Sequence, residues 1–123
     1  VCDNYKILKP QKIDQHCDSS FWTFAALLAD EKIDWYHFRR KYIEFGGDGI
    51  FACWKLSYNE PLIKNGNWKK ICPPLYKTLD YKDVCPVAEK IQSKIMQFVT
   101  NYSSLDEAKP KIEALEKTLK YFS

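Results

Sequence analysis

Lys55 follows Trp54 at the end of an apolar stretch and is itself followed by Ser57, Tyr58 and Asn59. Within a few residues the chain thus offers a flat ring, an ammonium and several hydrogen-bonding groups. A lysine partly withdrawn from water in such company binds phosphate or, if its pKa falls, reacts as an amine. A lysine that lays its stem along Trp54 and reaches solvent does neither, and its type alone leaves both readings open. The four residues belong to the stretch 46–61, Gly-Gly-Asp-Gly-Ile-Phe-Ala-Cys-Trp-Lys-Leu-Ser-Tyr-Asn-Glu-Pro. It opens with glycines that can end a helix and reverse the chain, then runs apolar before emerging into a polar, aromatic turn. Trp54, Lys55, Ser57 and Tyr58 are the predicted ligand contacts.

Other residue types invite chemistry more weakly. His16, Cys17 and Asp18 have the composition of a thiol and imidazole pair, but neighbours in a polar, irregular segment rarely hold catalytic geometry. His37 stands between Trp35 and Phe38 and reads as a flank of an aromatic helix. Asp48, Glu60 and Asp83 are not spaced to pair for acid–base work and read as solvated turn residues. Gly46-Gly47-x-Gly49 follows a helix instead of preceding one, so it is a turn and not a phosphate loop. Five cysteines, at 2, 17, 53, 72 and 85, are an odd number without a Cys-x-x-Cys pair or a His at ligand spacing. That argues against a disulfide framework and a zinc site, and reduced thiols in a cytoplasmic protein are expected.

The elements that must position these residues follow from pattern. The chain of 123 residues is long enough for one domain with a core, and 46% hydrophobic with 28% charged residues is ordinary for a globular protein. Its 19 basic and 16 acidic residues are interspersed, which disfavours nucleic acid as a partner. No apolar run reaches the roughly 20 residues a membrane helix needs, and no signal pattern opens the chain. Residues 1–19 are polar and irregular and read as a linker. Residues 20–29 read as a central strand buried on both faces. Asp34 is a predicted N-cap, with Trp35, Phe38, Tyr42 and Phe45 on one helical face and Gly46 as the stop. Residues 49–57 form a predicted second strand, and residues 62–83 a long loop anchored by Trp68, Leu75, Tyr76 and Leu79. Pro86 opens a helix whose stripe is Val87, Ile91, Ile95 and Phe98, and residues 99–102 can make a short strand. Ser104 and Glu107 form a capping box for a last helix with Ala108, Ile112, Leu115, Leu119 and Phe122 on its apolar face; Pro110 implies a late start or a kink. The expected class is α+β, a small sheet with helices packed on one side.

Four places resemble the C-terminal small domain of the DegT/StrS family of pyridoxal-phosphate-dependent nucleotide-sugar aminotransferases. Ser20-Phe-Trp-Thr-Phe24 is similar to the aromatic strand that opens that domain, and the helix from Asp34 to Phe45 with its glycine stop is similar to the next helix. Trp54-Lys55-x-x-x-x-x-Pro61 is similar to the family's Trp-Lys-Pro-x-His-x-Gln-Pro turn, and Cys85-Pro-Val-Ala-Glu-Lys90 to its Pro-x-Ala-Glu helix start. The likeness runs from Ser20 to the end of the chain. This sequence has Leu56, Tyr58 and Glu60 where the family's turn has Pro, His and Gln, which puts a phenol where the family has an imidazole.

The resemblance implies residues 1–19 as a linker from a missing N-terminal large domain and residues 20–123 as an aminotransferase-like small domain. It implies that the Schiff-base lysine and the pyridoxal phosphate site lie in that missing domain, and that no catalytic, cofactor or metal residue lies here. The intact enzyme would be a homodimer that takes an amino-acid donor and a nucleotide-sugar substrate, with Trp54, Lys55, Ser57 and Tyr58 facing the sugar. The chain alone would be inactive. Two other readings stay open: a dehydratase sibling on the same fold, and a free-standing binding module stacking a ligand on Trp54, Tyr58 and Trp68.

Overall fold

Asp34 starts the first α-helix of the chain. Its carboxylate Oδ2 accepts the His37 amide at 2.8 Å, satisfying one of the donors a helix N-terminus leaves open. The helix α1, Trp35–Glu44, then places Phe38 and Tyr42 four residues apart on one face, and both are buried. It ends in two crossed bonds: the Gly46 amide donates to the Ile43 carbonyl and the Gly47 amide to the Tyr42 carbonyl. This is the Schellman arrangement, and it needs the left-handed φ of +97° that Gly46 supplies. Gly47 is required for a different reason, since a Cβ there would overlap the Tyr42 ring.

The structure is a computed structural model that describes residues 1–52, 55–71 and 85–123. The chain divides into two units, Val1–Cys53 with Lys94–Ser123, and Trp54–Ser93. The first holds an antiparallel sheet of β1 (Leu8–Pro10), β2 (Phe24–Leu28), β3 (Phe51–Ala52) and β4 (Ile95–Phe98), in the order β1-β2-β4-β3. Three strands carry the ladder, and β3 adds two residues at its edge. Phe24 faces Phe98 and Ala26 faces Met96 across the β2–β4 pair, so Phe24, Ala26, Met96 and Phe98 share one face of the pleat with Leu28 and Leu8. That face meets α1 and the long helix α4, Leu105–Tyr121, in one core that includes Phe38, Tyr42, Ala114 and Leu119. Phe38, Met96 and Leu119 are fully buried, each contributing about 1.5–3 kcal/mol of transfer free energy. Thr118 is the buried polar side chain among them, and its hydroxyl is satisfied by the Ala114 carbonyl at 2.7 Å.

The α+β class and the packing of α1 and α4 on one side of the sheet agree with the sequence pattern, and several boundaries do not. Residues 1–19 contain β1, and Ile7 and Leu8 are buried at 6% and 2% exposure, so this stretch joins the sheet where a linker was expected. Pro10 is tolerated because β1 is an edge strand. The central strand is interior as expected, but it starts at Phe24, and only one of its faces is fully buried. The helix from Pro86 ends at Gln92 (α3, Pro86–Gln92), and Ile95 and Phe98 lie in β4, not on its stripe. Met96 and Phe98 also fit a period of two, and the Lys94 carbonyl accepts the Leu28 amide at 2.9 Å, so pairing with β2 takes this backbone into the sheet. No strand forms at 99–102. Pro110 sits inside α4, which starts at Leu105; Ser104 Oγ caps the Glu107 amide at 3.3 Å. The buried stripe of α4 is Ala114, Thr118 and Leu119, while Ile112 is exposed.

The described residues of the second unit form short elements. Ser57–Asn59 and Asn67–Lys70 are 3₁₀ turns, Pro61–Lys64 is the four-residue helix α2, and α3 follows later. Of the predicted strand 49–57, the described residues form β3 alone, and the predicted turn at 58–61 is a 3₁₀ turn leading into a helix that starts, as proline allows, with Pro61 at its first position. Trp54, Leu75, Tyr76, Leu79 and Asp83 lie outside the described residues, as does the Trp68 side chain.

Candidate functional site

Of the four predicted contacts, Lys55, Ser57 and Tyr58 fall among the described residues, and all three belong to the second unit. Lys55 and Ser57 are exposed. Tyr58 is half-buried, and its hydroxyl donates to Glu89 Oε1 of α3 at 2.6 Å. Partial loss of water and the Glu89 carboxylate together push the phenol up to about 12, so Tyr58 is a neutral donor at any physiological pH. Glu89 belongs to the Pro-Val-Ala-Glu helix start, so the turn motif and the helix motif singled out by sequence are joined by one short, charge-assisted bond. This edge presents a phenol, a hydroxyl and an ammonium to solvent.

The remaining sequence candidates are structural. His37 is half-buried, with its ring edge-on to Phe122 at 5.0 Å between centroids. His16 bonds its neighbour Gln15 at 3.0 Å in an exposed turn, and Cys17 is exposed beside it. Cys2, Cys17 and Cys85 are free thiols. Among the described residues, no group of three His, Cys, Asp or Glu side chains is placed to hold a metal, and no helix is long and apolar enough to cross a membrane.

Asp48 corrects the expectation of a solvated turn carboxylate. The Tyr102 hydroxyl donates to its Oδ2 in a very short bond, and Lys111 Nζ stands 3.0 Å from its Oδ1. Lys111 also donates to the Gly46 carbonyl at 3.0 Å. The Tyr102 hydrogen bond, and then Lys111, hold the Asp48 carboxyl below its ordinary value. Burial and the same carboxylate push the Tyr102 phenol well up, and burial raises Tyr42 beside it. The result is a latch that ties the glycine turn after α1 to the first half of α4.

The latch stands at one end of a cleft of about 620 Å³ within the first unit. Its walls come from β2 and β4 through Phe24 and Phe98, and from α4 through Ile112 and Leu115, with Tyr42, Tyr102 and Lys111 at the polar end. Phe21 stands at its mouth, 51% exposed, with a left-handed φ of +47°. A bulky residue in that region carries strain of about 1–3 kcal/mol. It is held there by bonds on both sides: its amide donates to Ser19 Oγ at 3.1 Å, and the Thr100 hydroxyl donates to its carbonyl at 2.6 Å. Sequence reasoning missed the cleft because its walls come from segments more than seventy residues apart, as in the 77-residue separation of Phe21 from Phe98, the difference of their numbers. The one local signal was an aromatic outside any stripe, Tyr102, two residues before the capping box.

Neither a known protein family, nor a curated protein, nor a solved structure matches the chain.

Proposed function

We propose that this chain is the C-terminal small domain of a pyridoxal-phosphate-dependent aminotransferase of the DegT/StrS type, acting on a nucleotide-linked keto sugar, in which the Lys55–Tyr58 edge faces the substrate. The observation that carries this reading is where the resembling motifs fall. The Asp34 motif opens α1 and its glycine closes it in a Schellman turn, Cys85-Pro86 opens α3, and β4 then returns antiparallel to β2. The Trp54 to Pro61 motif and the Cys85 to Lys90 motif are linked through Tyr58 and Glu89. Motifs of weak individual specificity coincide with element ends in the order the family uses.

Lys111, the lysine of the cleft, is ion-paired to Asp48 and bonded to the Gly46 carbonyl, so its amine is not a free nucleophile. The cofactor, bound in the rest of the enzyme, would supply the electron sink for moving an amine from an amino-acid donor to the sugar. The part assigned to this chain is recognition. Ser57 offers a hydroxyl to the sugar beside the Tyr58 ring, which Glu89 holds in place, and Lys55 offers an ammonium to a phosphate.

The test is in two steps. The coding sequence ahead of Val1 is expected to hold a large domain with a lysine in a cofactor-binding context, and a start codon adjacent to Val1 would refute the reading. In that longer enzyme, Tyr58→Ala is expected to raise KM for the keto sugar while leaving KM for the amino donor in place. Equal loss for both substrates assigns Tyr58 to structure and removes it from the site.

A further inference from the structure

We propose that the cleft between the β2–β4 face and α4 is a binding site for a neutral aromatic small molecule. This inference is independent of the aminotransferase reading and uses residues of the other unit. A volume of about 620 Å³ is that of a small-molecule pocket. Its floor is formed before any ligand arrives: Phe98 and Tyr42 are 5% and 4% exposed and pack edge-on at 5.6 Å. Aromatic walls made of Phe24, Phe98 and Phe21 favour offset or edge-on contact with another ring.

Charge decides the class of ligand. The charged groups that line the cleft are the Val1 amino group, Asp3 and Lys111, and the charge of Lys111 is offset by Asp48 at 3.0 Å. Cys2, Tyr42 and Tyr102 also line it, and burial raises all three, so they are neutral at pH 7. An anion entering the cleft would leave water for walls whose charges balance, the Val1 amino group and Lys111 against Asp3 and Asp48, with no net positive charge to receive it. Phosphorylated and carboxylate ligands are thereby disfavoured, and an uncharged ring is favoured.

Phe21 supplies the second observation. An aromatic residue kept in left-handed backbone by two hydrogen bonds, half-exposed at the mouth of an aromatic cleft, is placed to close over a bound ring.

The experiment is a titration of the chain of 123 residues, followed by amide NMR shifts, with a matched pair of probes, naphthalene methanol and naphthoate. Naphthalene methanol is expected to bind saturably and to shift the amides of Phe24, Phe98, Lys111 and Leu115. Naphthoate is expected to bind roughly tenfold more weakly or not at all, the cost of burying its charge. Ile112→Asp, at a position 49% exposed, is expected to weaken naphthalene methanol by about tenfold with the fold intact by circular dichroism. Phe21→Gly, which keeps the left-handed backbone and removes the ring, should weaken it too. Leu62→Asp, an equally exposed position in the other unit, should leave binding unchanged. The proposal is overturned by unsaturable or scattered shifts, by naphthoate binding as tightly as the alcohol, or by a dimer of the free protein that already protects these amides, which would make a second copy the occupant.

Discussion

The chain's two polar clusters are built in opposite ways. The Asp48 latch joins residues 54 and 65 positions apart, Tyr102 to Asp48 and Lys111 to Gly46, over a core of buried aromatic and aliphatic side chains. The Tyr58–Glu89 pair spans 31 positions and joins a three-residue 3₁₀ turn to a seven-residue helix, neither of which contains a buried residue. The first is rigid because long-range packing over-determines it. The second joins short elements through a charge-assisted bond. Local opening is easiest where few apolar contacts must break, and binding edges are commonly drawn from such regions. The comparison therefore assigns stability to the unit with the cleft and adaptability to the edge at 55–59.

The largest expected effect tests the first half of that contrast. Phe38→Ala removes a fully buried ring stacked on Phe122 at 5.6 Å and is expected to cost about 3–5 kcal/mol in urea unfolding, and a loss below 1 kcal/mol would remove α1 from the core. Gly47→Ala comes next. It forces the Tyr42 ring aside and should cost about 1–3 kcal/mol by the same measurement, whereas a neutral result would show that the turn yields freely.

Asp48→Asn is smaller and carries a sign in pH. The folded-state pKa of Asp48 lies below the ordinary 3.8, so its stabilisation is fully present above the unfolded value and is lost as pH falls through the folded one. The variant should cost about 1–2 kcal/mol at pH 7, and the two unfolding curves should converge in acid. A gap that persists unchanged to pH 2 would mean the effect is steric. The smallest effect is expected from Tyr58→Phe. The raised phenol pKa, about 12, means its contribution is complete below pH 10 and is lost as pH rises through 12. Hydrogen exchange should speed up in α3 with this variant and leave β2 and β4 unaffected. Faster exchange across the sheet would break the comparison of the two units.

What could be read from sequence divides along the same line. Asp34, Phe38, Tyr42, Gly46 and the Ser104 cap are determined by neighbours within four residues, and the helix they specify is the one that forms. Ile95 to Phe98 satisfied both the helical and the strand period, and the partner that decided between them, β2, is some seventy residues earlier. β1 was hidden because three residues with a proline carry almost no local strand signal. Asp48 looked solvated because nothing within reach along the chain could pair with it, and its partners arrive with α4. The edge at 55–59 was legible as composition, while its bond to Glu89 was not.

The central claim is that this chain serves a larger pyridoxal phosphate enzyme, and one measurement meets it directly. The protein translated from the complete gene is mixed with pyridoxal phosphate, and its visible absorbance is followed on adding glutamate and then a nucleotide-linked keto sugar. The account predicts a cofactor band that glutamate abolishes and the keto sugar restores. A complete protein that takes up no pyridoxal phosphate, or whose band ignores both additions, would contradict it.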